Sequence, residues 1–421
     1  MLKKIFFKLS VWLDMLKGFF IYLIVWILIL FFGSMIIHQI LKMGELSNTY
    51  KGEYKKLVEV DNDKMMNVVI YGEGEKTIVI LPGFGSQSPV IQYKAIADSL
   101  KDSYSVAVVE YYGYGYSMIT KKDRTLDNIV DEVKKALDQS GLYEYILMPH
   151  SSSNIYAMKM VQKYPENIKG IISLDGVFPA QYNEQYFYDT YLDELHNVEL
   201  TSVLEISGFA RILSYVKPDI FYIDQMVNDS IWGADEVSVL RNRIATSYLT
   251  STMLEEMKAF RDNALELTKF KYPDGLPVVQ LLSSDTVNTY KDNKDKELIK
   301  YDLEELASQV ITNEKLQKTV VLEGNHDMQF TNYVEVANLT RQLIDSGLTD
   351  NVFIEQDDVI QEEIVQEQQE DSEEIVEEIK EDQVENNVTE ENKSEKNMNI
   401  YNPDEAKKTS NNDVIVVEIN W

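Results

Sequence analysis

The chain has 421 residues, 44% of them hydrophobic, which is enough for one large domain with appendages or for two domains. It has no cysteine, which excludes disulfides and thiolate metal sites, and only four histidines, so a histidine-based site has few candidates. The formal net charge of −30 is concentrated after residue 351, and so acidic a chain argues against nucleic-acid binding, which needs basic surface.

An uncharged apolar run from Phe19 to Ile37 follows a short basic segment. At about 1.5 Å per residue it spans nearly 30 Å, the thickness of the hydrocarbon core of a bilayer. The lysines precede it, which predicts a single-pass cell-membrane protein with its N-terminus inside and the remainder extracellular. A cleaved signal peptide is the alternative, but the run is long for one, and His38–Lys42 offers no small-residue cleavage site. We therefore expect an uncleaved anchor over residues 1–43.

Beyond the anchor, apolar strand-like segments alternate with helical patterns, which predicts an α/β fold with a mainly parallel, eight-stranded sheet. The expected strands are Lys56–Asp61, Met65–Tyr71, Lys76–Leu81, Ser105–Tyr111, the run from Tyr145, Gly170–Leu174, Pro277–Leu282 and Lys318–Leu322. The expected helices include Ile91–Leu100, Thr125–Gln139, Ser238–Thr250, Thr252–Leu267, Glu297–Val310 and Thr331–Ser346.

The alternation is interrupted once, and it stops near residue 350. Residues 178–270 show helical periodicity without a clear strand, so they form a helical insertion between a first core part, 44–177, and a second, 271–350. Residues 351–421 are dominated by acidic and amide side chains, and we expect a disordered tail. The apolar end, Asp413–Trp421, is either an inert terminus or edge strand, or a docking peptide for a protein partner.

The stretch from Tyr145 to Asn154 passes from an apolar strand through a serine-rich turn into a helical pattern. It resembles the nucleophile elbow of the α/β-hydrolase superfamily, and the resemblance extends from about Lys56 to Leu348. The elbow usually contains G-x-S-x-G, but the matching positions here are Pro149-His150-Ser151-Ser152-Ser153, without either glycine. A serine-rich turn before a helix is also an ordinary N-cap, so the elbow needs support from elsewhere in the chain.

That support is the order serine, acid, histidine, which the resemblance implies for a catalytic triad. Ser151, Asp285 and His326 have this order, and each follows a predicted strand, where parallel sheets place their sites. Ser151 would be the nucleophile, His326 the base, and Asp285 the group that orients the imidazole. Asp175, which follows the sixth strand, is the alternative acid, although Asp175-Gly176 is also a simple turn.

The resemblance further implies that the backbone N–H groups of Phe84 and Ser152 form the oxyanion hole, and that the insertion at 178–270 is a cap over the site. We expect His150 to pack beside the elbow without titrating. Glu110, at the end of the fourth predicted strand, is a less favoured acid, because too much of the fold separates it from the site. Metal-binding and phosphate-binding motifs are not apparent, so no cofactor is expected.

Two functions remain open at this point. The first is a membrane-anchored serine hydrolase, with no cofactor, that acts on an ester or amide of a small or lipid-like molecule; peptidase and acyltransferase activities share its site. Dehalogenase and epoxide hydrolase chemistry would need an aspartate nucleophile, which position 151 lacks. The second is a catalytically retired hydrolase that serves as a membrane-tethered binding or scaffold protein, as the missing elbow glycines suggest.

Overall fold

The computed structural model describes residues 2–47, 52–229 and 231–346, so the predicted acidic tail and its apolar end lie outside the described residues. The strands are β1 (Leu57–Asp61), β2 (Lys64–Tyr71), β3 (Thr77–Leu81), β4 (Ser105–Glu110), β5 (Tyr145–Pro149), β6 (Ile168–Leu174), β7 (Val278–Ser283) and β8 (Gln317–Leu322). They form one sheet in the order β1-β2-β4-β3-β5-β6-β7-β8. Strand β2 runs opposite to the other seven strands, which are parallel to one another, so the predicted α/β fold with a mainly parallel eight-stranded sheet is confirmed.

The helices cover both faces of this sheet and fill the insertion between β6 and β7. They are α1 (Leu2–Ser47), α2 (Pro89–Gln92), α3 (Lys94–Leu100), α4 (Leu126–Gln139), α5 (Ser153–Lys163), α6 (Gln185–Ile206), α7 (Phe209–Val216), α8 (Ile223–Asn228), α9 (Ala234–Ser247), α10 (Ser251–Leu265), α11 (Ser284–Asp295), α12 (Leu303–Ser308), α13 (Met328–Thr331) and α14 (Tyr333–Asp345). Short 3-10 helices are η1 (Pro165–Asn167), η2 (Pro179–Asn183) and η3 (Pro218–Phe221). The predicted helical insertion is therefore confirmed as α6 to α10.

Strand β5 lies in the middle of the sheet, between β3 and β6, and all five of its residues are buried. Its last residue, Pro149, is aligned with Leu81 at the end of β3. Proline has no N–H to donate, so the end of a strand is where it disturbs the ladder least. Because β3, β5, β6, β7 and β8 are parallel, the segments after them all emerge at one edge of the sheet.

Two helices differ from the expectation: the predicted helix Ile91–Leu100 is divided into α2 and α3 at Tyr93, and the other difference lies after β7. The sequence predicts a helix over Glu297–Val310, but the structure has α11 before this range and the shorter α12 within it. Glu297 adopts a positive φ of 59°, a left-handed conformation that cannot continue a helix. Asp302 then caps α12, because its side chain accepts a hydrogen bond from the N–H of Glu305 at 2.9 Å.

Helix α1 contains the predicted anchor. Its segment Trp12–Glu45 is long and apolar enough to cross a membrane, and a signal sequence would pass the same test. Its large apolar side chains from Phe19 to Phe32 are all exposed on the protein. Nothing in the described part of the protein therefore covers this stretch, as expected of a helix that faces lipid.

Candidate active site

Ser151 lies at the sharp turn between β5 and α5. Its φ is +53°, the left-handed region that non-glycine residues rarely adopt. Neighbouring backbone fixes this conformation: the N–H of Ser151 donates to the carbonyl of Leu174 at 2.9 Å, and its carbonyl accepts from the N–H of Val177 at 3.2 Å. This strained turn from strand to helix has the geometry of a nucleophile elbow, and it ties Ser151 to the end of β6.

The structure also shows how the elbow tolerates the loss of its glycines. The hydroxyl of Ser153 donates to the carbonyl of Pro82 at 2.5 Å and accepts from the hydroxyl of Tyr111 at 2.7 Å. The amide of Asn154 donates to the carbonyl of Val177 at 3.0 Å. A Cβ on Gly176 would lie only 2.7 Å from that amide nitrogen, so the glycine facing the elbow makes room for Asn154.

His326 follows β8 and is hydrogen-bonded to Asp175, which follows β6. Its Nδ1 lies 2.7 Å from Oδ2 of Asp175. A carboxylate only accepts, so Nδ1 carries the proton and Nε2 keeps a free lone pair, the tautomer that a general base needs.

The two groups shift each other's pKa. Burial alone would raise the pKa of the buried Asp175 carboxyl, but the hydrogen bond and charge of His326, with hydrogen bonds from Thr286 and Ser283, hold it below its ordinary value. Burial alone would lower the pKa of His326, but the hydrogen bond and charge of Asp175, and the charge of Asp327, raise it above its ordinary value. The pair therefore favours an ionised Asp175 beside the imidazole.

The hydrogen bond between His326 and Asp175 corrects the prediction that Asp285 is the orienting acid. Asp285 is exposed in the first turn of α11, and its backbone N–H donates to the carbonyl of Gly324 at 3.1 Å. The helix starts directly at the end of β7 with Ser283 as its N-cap, so position 285 turns to solvent. The same segment instead supplies donors to Asp175: the N–H of Ser283 at 2.9 Å and the hydroxyls of Ser283 and Thr286 at 2.8 and 2.6 Å.

Two atoms that the predicted reaction needs have no hydrogen bond. Oγ of Ser151 and Nε2 of His326 are both shielded from solvent and lack a hydrogen-bond partner among the described residues. Unsatisfied buried polar atoms are rare in folded proteins and call for an explanation. In enzymes without substrate, catalytic hydrogen bonds are often long and shorten only when substrate binds.

His150 packs beside the elbow, as predicted, and its ring centroid lies 4.8 Å from that of His326. Its Nε2 donates to the backbone carbonyl of His326 at 2.9 Å, so its Nδ1 accepts from the hydroxyl of Tyr93 at 2.8 Å. That hydroxyl accepts in turn from the N–H of Gly83 at 3.0 Å. Burial and the charge of His326 lower the pKa of His150 to about 4, so it stays neutral and holds the His326 loop in place.

The two expected oxyanion-hole donors, the N–H groups of Ser152 and Phe84, differ in whether they already donate a hydrogen bond within the described residues. None of the hydrogen bonds among the described residues uses the N–H of Ser152. The N–H of Phe84, by contrast, donates to the side-chain hydroxyl of Ser152 at 3.0 Å. The Ser152 hydroxyl thus occupies a donor that the sequence predicts for the substrate.

The insertion contacts the segment that carries His326. The ring of Tyr222, which directly precedes α8, stacks on Phe330 with centroids 4.6 Å apart. The amide of Gln225 donates to the carbonyl of Phe330 at 2.6 Å. Phe330 lies in α13, only four residues after His326, so the position of the insertion and that of the histidine loop depend on each other.

The sequence analysis missed three residues that support the site: Tyr93, Ser283 and Thr286. A usable signal existed for the last two. A serine between a strand and a helical pattern is a typical N-cap, and the first turn of the helix that it caps, which contains Thr286, lies at the strand ends. Tyr93 carries no comparable signal, because it is one of 26 tyrosines and only the fold brings it to His150.

Comparison with known proteins places this geometry among known folds. A family model described as the alpha/beta hydrolase fold matches residues 76–210. The chain is 31% identical over 254 residues to the uncharacterized protein YbdG of Bacillus subtilis (strain 168), a match covering 59% of this chain and 74% of that protein.

Among solved structures, a putative alpha/beta hydrolase of Nostoc sp PCC 7120, ALR0039, matches with a TM-score of 0.51 and 14% identity over 69% of this chain and 97% of that one. The epoxide hydrolase VrEH1 of Vigna radiata matches with a TM-score of 0.50 and 17% identity, again over 69% of this chain and 97% of that one. At these identities the two structures show a shared fold and no more.

Proposed function

Because this chain belongs to the α/β-hydrolase superfamily, we propose that it is a membrane-anchored serine hydrolase that cleaves an ester, or an amide, of a small or lipid-like molecule. One arrangement carries the proposal: His326 donates to Asp175 through Nδ1, while its Nε2 and the Oγ of Ser151 stay buried and unpartnered. A base with its lone pair free and a strained serine are the two groups that acyl transfer requires.

The reaction would use these residues in sequence. Ser151 Oγ attacks the acyl carbon while Nε2 of His326 takes its proton, and the ionised Asp175 stabilises the imidazolium. His326 returns the proton to the leaving alcohol or amine, which leaves the acyl group on Ser151. Water, activated by the same imidazole, then attacks the acyl group and releases the carboxylic acid. The N–H groups of Ser152 and Phe84 serve the oxyanion once the Ser152 hydroxyl turns away from Phe84.

Epoxide hydrolysis is the less favoured activity, although several structural neighbours are named epoxide hydrolases. A carboxylate nucleophile forms an ester with its substrate, whereas the elbow of this chain presents a hydroxyl at Ser151. A hydroxyl nucleophile suits substrates that already contain an acyl group. This difference at a single position favours ester or amide cleavage.

The anchor is part of the proposal. Helix α1 has the length and apolar surface of a membrane span, and the lysines before it favour a cytoplasmic N-terminus. The hydrolase domain would then lie outside the cell, attached to the membrane at its N-terminal end. Protease treatment of intact cells that carry an epitope tag at the C-terminus tests this, since an extracellular domain loses the tag.

A retired hydrolase that acts as a scaffold is the second candidate, and one observation favours it. The hydroxyl of Ser152 occupies the N–H of Phe84, so one of the two oxyanion donors is already bonded. A protein without catalytic activity has no need to keep that donor free. The buried, unpartnered Ser151 and His326 atoms argue the other way, because an inactive site has no reason to leave them unsatisfied.

Activity-based labelling separates the two candidates. Full-length protein in detergent is expected to react with a fluorophosphonate probe and to hydrolyse p-nitrophenyl esters, and Ser151→Ala is expected to do neither. Ser140→Ala, at the end of α4, is the matched control and keeps full labelling, because within the described residues the Ser140 hydroxyl bonds only the carbonyl of Ala136. Unlabelled wild-type protein that hydrolyses none of the esters would support the scaffold.

A further inference from the structure

The corner between α6 and α7, residues 207–212, exposes large apolar side chains. Phe209 is 47% exposed and Ile212 is 53% exposed, whereas Ala210 on the opposite side of the helix is buried. The spacing of three residues puts Phe209 and Ile212 on one face of α7. The two side chains therefore form one exposed apolar face at the start of α7, and contiguous apolar surface is what marks protein-interaction or membrane-contact sites.

The end of α1 contacts this same corner. The hydroxyl of Ser34, which donates to the carbonyl of Phe31 at 2.8 Å, also lies 3.3 Å from the carbonyl oxygen of Ser207. Farther along α1, Glu45 forms a two-pronged ion pair with Arg211, with both N···O distances at 2.6 Å. Two-pronged carboxylate–guanidinium pairs fix orientation as well as distance, so the α6–α7 corner is attached to α1.

Gly208 permits this close approach. Its φ is +78°, a conformation that favours glycine, and a Cβ at this position would lie 2.8 Å from the side chain of His38. Any other residue would have to move α7 away from α1. The corner is therefore built so that the start of α7 lies directly against the helix.

These contacts set the height of the corner relative to a bilayer. The apolar run of α1 ends at Ile37, and Ser34 precedes that end by three residues, or about 4.5 Å of helix. Glu45 lies eight residues beyond the end, or about 12 Å farther out. Ser207 is thus level with the last turn of the apolar run, while Arg211 reaches toward the aqueous side. Phe209 lies between Ser207 and Arg211 in the chain, and Ile212 directly follows Arg211 on the same face of α7 as Phe209.

We propose that the α6–α7 corner inserts Phe209 and Ile212 into the interfacial layer of the same bilayer that α1 spans. The inference rests on the proposed anchoring and adds a second membrane contact, made by the cap itself. Amphipathic segments at this height bury their apolar side chains about 5–10 Å into the boundary between headgroups and acyl chains. The occupant of this exposed face is lipid, and no protein partner is needed.

The absence of cysteine from the chain makes a direct test available. A single cysteine is introduced as Leu28→Cys within the span, as Ile212→Cys at the corner, or as Ile119→Cys, and each is labelled with an environment-sensitive fluorophore. Ile119 is the matched control, because it is also an isoleucine and is 52% exposed, but lies in the loop after β4. The full-length variants are reconstituted in phosphatidylcholine vesicles with or without nitroxide-labelled lipid.

We expect nitroxide lipid to reduce the emission about twofold both at Leu28→Cys, within the span, and at Ile212→Cys, at the depth of an interfacial helix, and to leave the emission at Ile119→Cys unchanged. Aqueous iodide should quench the fluorophore at Ile119→Cys more strongly than the fluorophore at Ile212→Cys or Leu28→Cys. If Leu28→Cys is quenched by lipid while Ile212→Cys behaves like Ile119→Cys, the corner does not insert and the anchor stands. If Leu28→Cys also escapes quenching, the anchoring itself is wrong. Phe209→Cys repeats the test where Ile212→Cys does not fold.

Discussion

The two sides of the candidate site are prepared to different degrees. On the base side, Asp175 accepts hydrogen bonds from His326, Ser283 and Thr286, so the acid and the imidazole are assembled before substrate binds. On the oxyanion side, the N–H of Phe84 is occupied by the hydroxyl of Ser152. The comparison indicates that the acid–imidazole pair of the proposed site is already assembled, whereas a hydrogen bond between Ser151 and His326 and a free N–H at Phe84 both still require side-chain movement.

Removing the base should have the largest effect. His326→Gln keeps a side chain of similar size but cannot take the proton from Ser151, and we expect kcat for ester hydrolysis to fall about 10⁶-fold, the scale seen when a triad histidine is lost. Steady-state kinetics on a p-nitrophenyl ester measure the change. A loss of less than tenfold would show that the base side does not perform proton transfer.

The pH dependence of wild type and Asp175→Asn tests the pairing on the base side. The base works only when neutral, and the raised pKa of His326 places the loss of activity on acidification above pH 6.5, its ordinary value. Without the Asp175 carboxylate, the lowering of the pKa of His326 by burial is opposed less, so we expect the acidic limb of the profile to move to lower pH. We also expect kcat to fall about 10⁴-fold. An unmoved limb would separate Asp175 from the titration of His326.

Tyr93→Phe tests the support behind the base side. The change leaves both the N–H of Gly83 and Nδ1 of His150 without a partner, so we expect the free energy of unfolding to fall by about 2 kcal/mol. Tyr143→Phe is the control: its side chain is 60% exposed, and its free energy of unfolding should change by less than about 0.5 kcal/mol. Equal effects of the two changes in urea denaturation would contradict the chain of hydrogen bonds through His150.

The smallest expected effect concerns the oxyanion side of the site. Ser152→Ala frees the N–H of Phe84, and one neutral hydrogen bond is worth about 1 kcal/mol, so kcat/KM should rise about fivefold. The backbone N–H of Ser152 remains in the variant, so its own contribution is unchanged. A fall in kcat/KM would instead mean that the Ser152 hydroxyl itself helps the reaction.

The sequence identified the elbow and the histidine because both follow strands with a clear apolar pattern. Tyr145–Pro149 and Gln317–Leu322 are such strands, and the segments after the parallel strands must meet at one edge of the sheet. This argument places Ser151 and His326 on the same edge without any knowledge of side-chain contacts.

The same argument could not choose between Asp175 and Asp285, because both follow parallel strands. The decision depends on where α11 begins. Ser283 caps the helix at the very end of β7, which sends Asp285 outward and leaves hydroxyls facing Asp175. The apolar periodicity of a sequence does not locate the first residue of a helix to within one position. A shift of one position rotates a side chain by about 100°, which is enough to turn Asp285 toward the site or away from it.

The rate of fluorophosphonate labelling, compared between Asp175→Asn and Asp285→Asn, tests the central claim most directly. Both changes remove one carboxylate near the same sheet edge, but only Asp175 contacts His326. We predict that Asp175→Asn labels Ser151 at least about a thousandfold more slowly than wild type, while Asp285→Asn labels at the wild-type rate. Wild-type labelling by Asp175→Asn, or a comparable loss in Asp285→Asn, would contradict the proposed triad.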